Sequence, residues 1–208
     1  ALALGANDFI VKPYNPDVVC HCVKNNIAQH ETAIKLNAIQ KDKLTGLYSR
    51  EAFFETVSET INSHKPNDYI LACFDIDNFK LINDQFGTLE GDQILREIGK
   101  TLSDVVANLN GIGGRISGDD FAVLIPNTND DFSIVSILKE KKLSIFDKHA
   151  VVFSEGCYLV SDLKLSANSI YDRAYIAKQS VKGRYDIHIA YFDDSMLEKL
   201  VNNQQIIA

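Results

Sequence analysis

The chain has 208 residues, of which 46% are hydrophobic and 24% charged, the composition of a globular protein with a core of its own. Its 21 basic and 28 acidic side chains give a net charge of −7, which argues against a nucleic-acid-binding surface because phosphate contacts need a basic face. At about 150 residues per domain, the length predicts one complete domain and an additional fragment.

Neither a membrane nor an oxidising compartment is indicated by the sequence. No apolar run approaches the roughly 18 residues of a membrane span, and the first residues lack the basic region of a signal peptide. The four cysteines form no CxxC pair and have no metal-ligand spacing, which predicts reduced thiols. We therefore expect a cytoplasmic chain, or the cytoplasmic part of a larger protein, without a membrane partner.

The first 42 residues show two patterns. Residues 1–15 have the features of a helix end, a turn, a short strand at Phe9–Val11 and a Lys-Pro dipeptide. Residues 16–42 contain no glycine and repeat apolar side chains at helical spacing, which predicts one long helix. Because its apolar stripe is thin, this helix either dimerises as a coiled-coil stalk or packs on its own domain.

From residue 43 to residue 192, helical and strand patterns alternate, which predicts an α/β or α+β sandwich with helices covering a sheet. Two short apolar runs, Arg115–Ile116 and Phe121–Ile125, flank the sequence SGDD and predict a β-hairpin. The other predicted helices are Glu51–Ser63, Leu89–Ala107, Phe132–Lys142 and Ser169–Val181, and the other predicted strands are Tyr69–Asp75, Val151–Cys157 and Ile187–Phe192.

Carboxylates cluster at the end of the buried strand and in the hairpin loop. Asp75 and Asp77 follow the strand at a spacing that puts both on one side, and the loop carries Asp119 and Asp120. If the two strands are neighbours, three or four carboxylates converge and repel one another unless a cation lies among them. Oxygen ligands favour Mg²⁺, which completes its coordination with phosphate oxygens, so we expect a nucleoside triphosphate site.

The residues after this strand support a phosphate site. Asn78–Asp84 is predicted to be a short helix whose N-terminus favours phosphate binding, and Lys80 lies in its first turn. Taken alone, Asp77 is more readily explained as the N-cap of this helix, and the Asp- and Gly-rich turn as an ordinary hairpin loop. The combination of the two favours a functional site.

Four motifs in order make the sequence resemble the GGDEF family, the diguanylate cyclases that join two GTP molecules into cyclic di-GMP. They are DKLTGLYSREAFF (42–54), DIDNFKLINDQFGTLEGD (75–92), SGDDF (117–121) at the signature itself, and AKQSVKGR (177–184). The resemblance implies a palm-like nucleotidyl-cyclase fold with a central, mostly antiparallel sheet flanked by helices. It also implies that two domains, each holding one GTP, meet face to face in a homodimer.

The resemblance also implies roles for individual residues. Two Mg²⁺ or Mn²⁺ ions per site would be held by Asp75, Asp119 and the backbone carbonyl of Ile76, with Asp119 and Asp120 as the catalytic carboxylates. Asn83 and Asp92 would read the guanine edge, because an amide and a carboxylate complement its donors and acceptors. The residues that would contact the triphosphate are Lys80, Lys178 and Arg184.

The chain departs from the family pattern at several positions. The first signature glycine is Ser117, the usual Glu at the fourth signature position is Asp120, and the usual His of the second motif is Thr88. The closing motif is longer than in the family, and Asn108 and Gly111 replace the arginine and aspartate of the inhibitory product site, which is expected to be absent. These departures leave three hypotheses: a cyclase, a degenerate domain that binds GTP and regulates a partner without turnover, and a purely structural dimerisation domain.

Both ends of the chain resemble parts of other domains. GANDFIVKPYNPDVV (5–19) is similar to the last strand and helix of a response-regulator receiver, with Lys12 as its phosphate-sensing lysine. SVKGRYDIHIAYFDDSMLEKLVNNQQ (180–205) is similar to the form found when a phosphodiesterase (EAL) domain follows. The expected organisation is a receiver remnant at 1–27, a helical linker at 28–42, a GGDEF domain at 43–192 and a linker helix at 193–208.

Overall fold

A computed structural model describes residues 16, 19–27, 40–128, 133–141, 151–184 and 188–205, with side chains to residue 199. The chain divides into two compact units, Ala1–Gln40 and Lys41–Ala208. In the first unit, residues 19–27 are helical, as predicted, and the Asn26 side chain donates a hydrogen bond to the Cys22 carbonyl oxygen. The receiver-like segment 1–15 and most of the predicted linker helix lie outside the described residues.

The second unit alternates helices and strands much as the sequence predicts. Within the described ranges its sheet has five strands in the order β2-β3-β1-β4-β5, and every neighbouring pair is antiparallel except β4 and β5. The predicted α+β sandwich with a mostly antiparallel sheet is therefore confirmed. The elements are α1 (Arg50–Ile61), β1 (Tyr69–Ile76), α2 (Phe79–Phe86), α3 (Thr88–Asn108), β2 (Ile112–Ser117), β3 (Asp120–Pro126), α4 (Ile134–Glu140), β4 (Phe153–Leu159), α5 (Ala167–Val181), β5 (Ile189–Tyr191) and α6 (Asp194–Gln205).

Alternation along the central strands gives the sheet two apolar faces, each covered by helices. On one face, Phe74 of β1 stacks on Phe121 of β3 with ring centroids 5.4 Å apart, and α3 and α4 cover both. On the other face, Leu71 and Leu124 lie under α1 and α5. None of the helices in the described part of the chain is long and apolar enough to cross a membrane.

Helix α5 lies unusually close to β4, and Gly156 makes this possible. A Cβ atom at Gly156 would overlap the Ala174 carbonyl oxygen and the Lys178 amide nitrogen, and would lie 2.8 Å from the Lys178 Cα. Only a residue without a side chain fits beneath the helix backbone at this point. This close approach fixes the position of the C-terminal half of α5, which carries Lys178, relative to the ends of the strands.

The outer edge of β2 is covered by the segment Lys41–Tyr48. The Tyr48 amide donates to the Gly113 carbonyl oxygen at 3.1 Å, and the Arg115 amide donates to the Tyr48 carbonyl oxygen at 2.9 Å. The Arg115 guanidinium also pairs with Asp42, with its Nη1 3.2 Å from Oδ1. These contacts fix the segment along the strand.

A buried carboxylate on β4 binds the start of α4. Glu155 is 0% exposed. It accepts hydrogen bonds from the Ser133 hydroxyl at 2.6 Å and from the backbone amides of Ile134 and Val135 at 2.8 and 3.2 Å. Burial raises the pKa of Glu155 above its usual value, against the opposing effect of these donors.

We expect Glu155→Gln to lower the free energy of unfolding at pH 7 by about 1–3 kcal/mol, because the amide NH₂ would face a backbone N–H donor. The raised pKa means that the folded state binds more protons than the unfolded state, so Glu155 makes the wild-type protein less stable as pH rises from acid towards neutral. Urea denaturation between pH 4.5 and 7.5 should show a flatter profile for the variant. Exposed Glu59→Gln is the control, and an unchanged profile in Glu155→Gln would contradict the prediction.

Candidate active site

The carboxylates of the signature and of the buried strand meet at one end of the sheet. Because β1 and β3 are antiparallel neighbours, with Phe74 opposite Phe121, the end of β1 lies beside the start of β3. Asp75 is 6% exposed near the end of β1, and Asp120 is the first residue of β3. Asp119 lies in the tight turn before it, and the two strands are neighbours, which is the condition for their carboxylates to meet.

Two lysines bind Asp75. Its Oδ2 lies 2.5 Å from the Lys182 Nζ and 3.2 Å from the Lys178 Nζ. Its Oδ1 is buried and has no hydrogen-bond partner among the residues that the structure describes. One oxygen of this carboxylate is thus neutralised by ammonium groups, while the other is desolvated without compensation.

Both oxygens of Asp120 are occupied by side chains of α5. Its Oδ1 lies 2.8 Å from the Lys178 Nζ, and its Oδ2 accepts a hydrogen bond from the Tyr171 hydroxyl. Burial lowers the pKa of Lys178, but Asp120 and Asp75 outweigh it, so that the net shift is upwards and Lys178 stays charged. Burial and the charge of Asp120 raise the pKa of Tyr171, which keeps its hydroxyl protonated as a donor.

The Asp119 carboxylate lies close enough to Asp75 to be affected by its charge. Burial and the negative charge of Asp75 raise the pKa of Asp119, while Lys182 and the backbone of Ile76 oppose that shift. Asp75, Asp119 and Asp120 thus lie together at this end of the sheet, where Lys178 bridges Asp75 and Asp120. Three of these carboxylates therefore converge, although across the described ranges no group of three His, Cys, Asp or Glu side chains is arranged to hold a metal ion.

The expectation that Asp77 caps the following helix is also wrong. Its Oδ1 accepts a hydrogen bond from the Ser154 hydroxyl at 2.8 Å. The N-cap of α2 is Asn78, whose φ of 57° is left-handed and whose side chain makes no capping bond. The helix thus begins one residue later than a cap at Asp77 requires, and the Asp77 carboxylate is bound by β4 instead.

The predicted guanine-binding residues lie on facing helices. Asn83 of α2 packs against Gly91 of α3, where an added Cβ would lie 3.0 Å from the Asn83 Cγ and 3.1 Å from the Phe79 Cζ. Asp92, the next residue, is half-buried and lies 3.7 Å from the Arg96 guanidinium. The close packing at Gly91 therefore brings the Asn83 amide of α2 near the start of α3, where Asp92 is the next residue.

The predicted phosphate-binding residues occupy different environments. Lys178 is buried between carboxylates, whereas Lys80 is exposed near the start of α2. Arg184 lines a cavity of about 280 Å³ together with Asp77 and Asn78, so it lies beside the N-terminus of α2. The N-terminus of a helix favours an anion.

The sequence prediction missed two site residues, Lys182 and Tyr171. Lys182 lies four residues after Lys178, and Tyr171 lies seven residues before it, spacings that put all three near one face of a helix. Helical periodicity anchored on Lys178 would have found both. Ser117 also proves compatible with the turn, because it lies in β2 opposite Asp120 and only Gly118, at φ 46°, needs the left-handed region.

Comparisons with known proteins identify relatives of this chain. The model of the diguanylate cyclase GGDEF domain matches residues 39–185. The chain is 36% identical to the uncharacterized protein YhcK of Bacillus subtilis over 129 residues, which are 61% of this chain and 35% of that protein. It is 38% identical to the diguanylate cyclase DgcP of Escherichia coli K12 over 102 residues, 48% of this chain and 29% of that protein. The chain thus spans about a third of the length of these curated relatives.

Two solved structures share the fold. One is the coiled coil and GGDEF domain of DgcB from Caulobacter crescentus in complex with c-di-GMP, with a TM-score of 0.70 at 22% identity, covering 84% of this chain and 97% of that one. The other is the S helix-GGDEF-EAL structure of LapD from Vibrio cholerae, with a TM-score of 0.64 at 18% identity, covering 85% of this chain and 46% of that one. With the family model matching most of its length, the chain belongs to the GGDEF family of diguanylate cyclase domains.

Proposed function

We propose that residues 43–192 form a diguanylate cyclase that condenses two GTP molecules into cyclic di-GMP. In this reaction the 3′-hydroxyl of each GTP attacks the α-phosphorus of the other. The bond from each α-phosphorus to the bridging oxygen of its β-phosphate breaks, so that two pyrophosphates leave. The observation that carries the proposal is the position of Asp75 near the end of β1 beside the Asp119–Asp120 turn, with the ammonium groups of Lys178 and Lys182 at its Oδ2.

The side chains at this position fit a divalent cation. The desolvated Asp75 Oδ1 has no donor among the described residues, and Asp119 lies close enough to Asp75 for its pKa to be raised by burial and by that charge. Asp75, Asp119 and the Ile76 carbonyl would hold Mg²⁺ or Mn²⁺, with two ions per site. When bound, such ions neutralise triphosphate charge and make the 3′-hydroxyl easier to deprotonate.

The other residues of the site would bind and orient GTP. Asn83 and Asp92 would hydrogen-bond the guanine edge from the facing helices α2 and α3. Lys80 and Arg184 would contact phosphates at the N-terminus of α2, and the Lys178 ammonium at the C-terminal end of α5 would be a further phosphate contact. Each of these groups acts before the chemical step, by placing the α-phosphate against the carboxylate pair.

Catalysis by this route needs two domains face to face, each with one GTP, and so a homodimer. A helical segment before the domain would supply the dimer at high effective concentration. The DgcB structure contains a coiled coil with its GGDEF domain, and the LapD structure joins a GGDEF domain to an EAL domain. We propose a similar parent for this chain, with a receiver before it and an EAL domain after it, acting in the cytoplasm.

One observation favours a second function, that of a domain that binds GTP and regulates a partner phosphodiesterase domain without turnover. Both oxygens of Asp120 are already engaged by Lys178 and Tyr171, and aspartate reaches one methylene less far than the glutamate usual at this position. A carboxylate about 1 Å short of its productive position can cost on the order of 100-fold in rate.

A GTP turnover assay distinguishes the two functions. The full chain is incubated at high concentration with GTP and Mg²⁺, and cyclic di-GMP is quantified by chromatography for wild type, Asp120→Glu and Asp119→Asn. We expect turnover by the wild-type protein, a faster rate for Asp120→Glu, and a loss of at least about 100-fold for Asp119→Asn, since it removes a charge aimed at the reacting groups.

Each possible result of this assay supports or rejects a particular function. Calorimetric GTP binding with no product from wild type, and product from Asp120→Glu, would reject the cyclase and support the second function, GTP binding without turnover. Absence of both GTP binding and product in all three proteins would reject both functions. Full activity of Asp119→Asn would reject the assigned role of the carboxylate pair.

A further inference from the structure

Lys182 places a positive charge beside the two carboxylates assigned to the cation. Its Nζ lies 2.5 Å from the Asp75 Oδ2, and its charge acts on Asp119 as well. The ammonium group is thus close to both acidic side chains, next to the buried Asp75 Oδ1 that has no partner in the described part of the chain. The Lys182 ammonium group therefore supplies positive charge at the position where a bound cation would neutralise these carboxylates.

The two lysines that contact Asp75 differ in how firmly they are held. The Lys178 side chain is 1% exposed and contacts both Asp75 and Asp120. The Lys182 side chain is 41% exposed, and the residue is the C-cap of α5, with φ −60° and ψ 129° outside the helical region. Rotation about its own side-chain bonds would carry the Lys182 ammonium into solvent, whereas Lys178 has no such route without movement of the helix.

We infer that Lys182 is a tethered cation that neutralises Asp75 and Asp119 in the metal-free protein, and that a divalent ion must displace its ammonium group from Asp75 in order to bind. This inference rests on the proposed function for the identity of the metal-binding carboxylates. It adds that the chain carries its own competitor for them. Lys182 therefore lowers the affinity of the nucleotide-free site for divalent ions.

The test uses Mn²⁺ alone, without nucleotide, and measures free Mn²⁺ by electron paramagnetic resonance during titration of the full chain. We expect Lys182→Met to bind Mn²⁺ about tenfold more tightly than wild type, equivalent to about 1.4 kcal/mol, as expected for one partly exposed charge at close range. Lys182→Arg keeps the charge and should bind Mn²⁺ like wild type. Lys100→Met removes an exposed lysine of α3 and should also leave the affinity unchanged.

A second measurement uses thermal stability instead of a titration. In EDTA, Lys182→Met should have a lower Tm than wild type, because Asp75 and Asp119 then lie close together with one counter-charge fewer. Saturating Mn²⁺ should raise the Tm of Lys182→Met by more than it raises that of wild type.

Equal Mn²⁺ affinity for wild type and Lys182→Met would overturn the inference. The proposed function would survive that result if wild type still bound Mn²⁺ and produced cyclic di-GMP. Failure of every variant to bind Mn²⁺ would overturn both the inference and the assignment of these carboxylates to a metal. Tight binding by Lys182→Met with none detectable in wild type would support the inference most strongly.

Discussion

Lys178→Met is expected to lower the free energy of unfolding by about 3–5 kcal/mol, because it leaves buried carboxylate charge without its partner. The ammonium group of Lys178 contacts Asp120 at 2.8 Å and Asp75 at 3.2 Å, and the side chain is 1% exposed. Methionine retains most of the side-chain volume, so the effect reports on charge rather than on a cavity. Urea denaturation at pH 7, with Lys100→Met as the exposed control, measures it.

A double variant makes this expectation sharper. If the destabilisation comes from an unpaired charge on Asp120, then adding Asp120→Asn to Lys178→Met should recover a substantial part of the loss. Strict additivity of the two single changes would contradict the charge explanation. So would a loss of less than about 1 kcal/mol for Lys178→Met, the value typical of an exposed pair.

Gly156→Ala is expected to destabilise the domain by about 3 kcal/mol or more, at the upper end of the cost of overpacking a core. The added methyl group would meet the backbone of α5 at Ala174 and Lys178, and backbone cannot rotate away as a side chain can. Relief requires α5 to lift from β4, which would also draw Lys178 away from Asp75 and Asp120. We therefore expect a loss of activity that exceeds the loss attributable to unfolding.

Gly113→Ala is the matched control for this substitution. Gly113 also lies in a strand, but its added Cβ would meet Leu47 and Val106 side chains at 3.4 Å, an ordinary contact. We expect its free energy of unfolding to remain within about 1 kcal/mol of wild type. Similar losses at Gly156 and Gly113 in urea denaturation would show that the close approach of α5 is not what matters.

The fold was predictable because its elements are long and strongly patterned. The apolar run Tyr69–Ile76 and the periodic stretch Thr88–Asn108 were found to within two residues at each end. The sequence pattern alone could not give the strand order, since it depends on which apolar faces meet in space. Here β1 lies between β3 and β4, both far from it along the chain.

The site was predictable as a set of acidic residues but not as a set of contacts. The Asp120–Lys178 and Asp75–Lys182 pairs join residues 58 and 107 positions apart, and only the packing of α5 on the sheet brings them together. The prediction that Asp77 caps the following helix was wrong for a related reason. An interpretation based on neighbouring residues could not foresee that the distant Ser154 hydroxyl would donate to this carboxylate. Local patterns thus indicate candidate residues, while tertiary packing decides what each one contacts.

The segment Lys41–Tyr48 has a consequence for how this domain behaves among other copies of itself. An edge strand with free backbone groups is a template for pairing with another chain, which is a route to aggregation. Tyr48 occupies such groups on Gly113 and Arg115 along the outer edge of β2. A fragment starting after Tyr48 would uncover that edge and invite strand-to-strand association, so the first motif of the domain also protects its solubility.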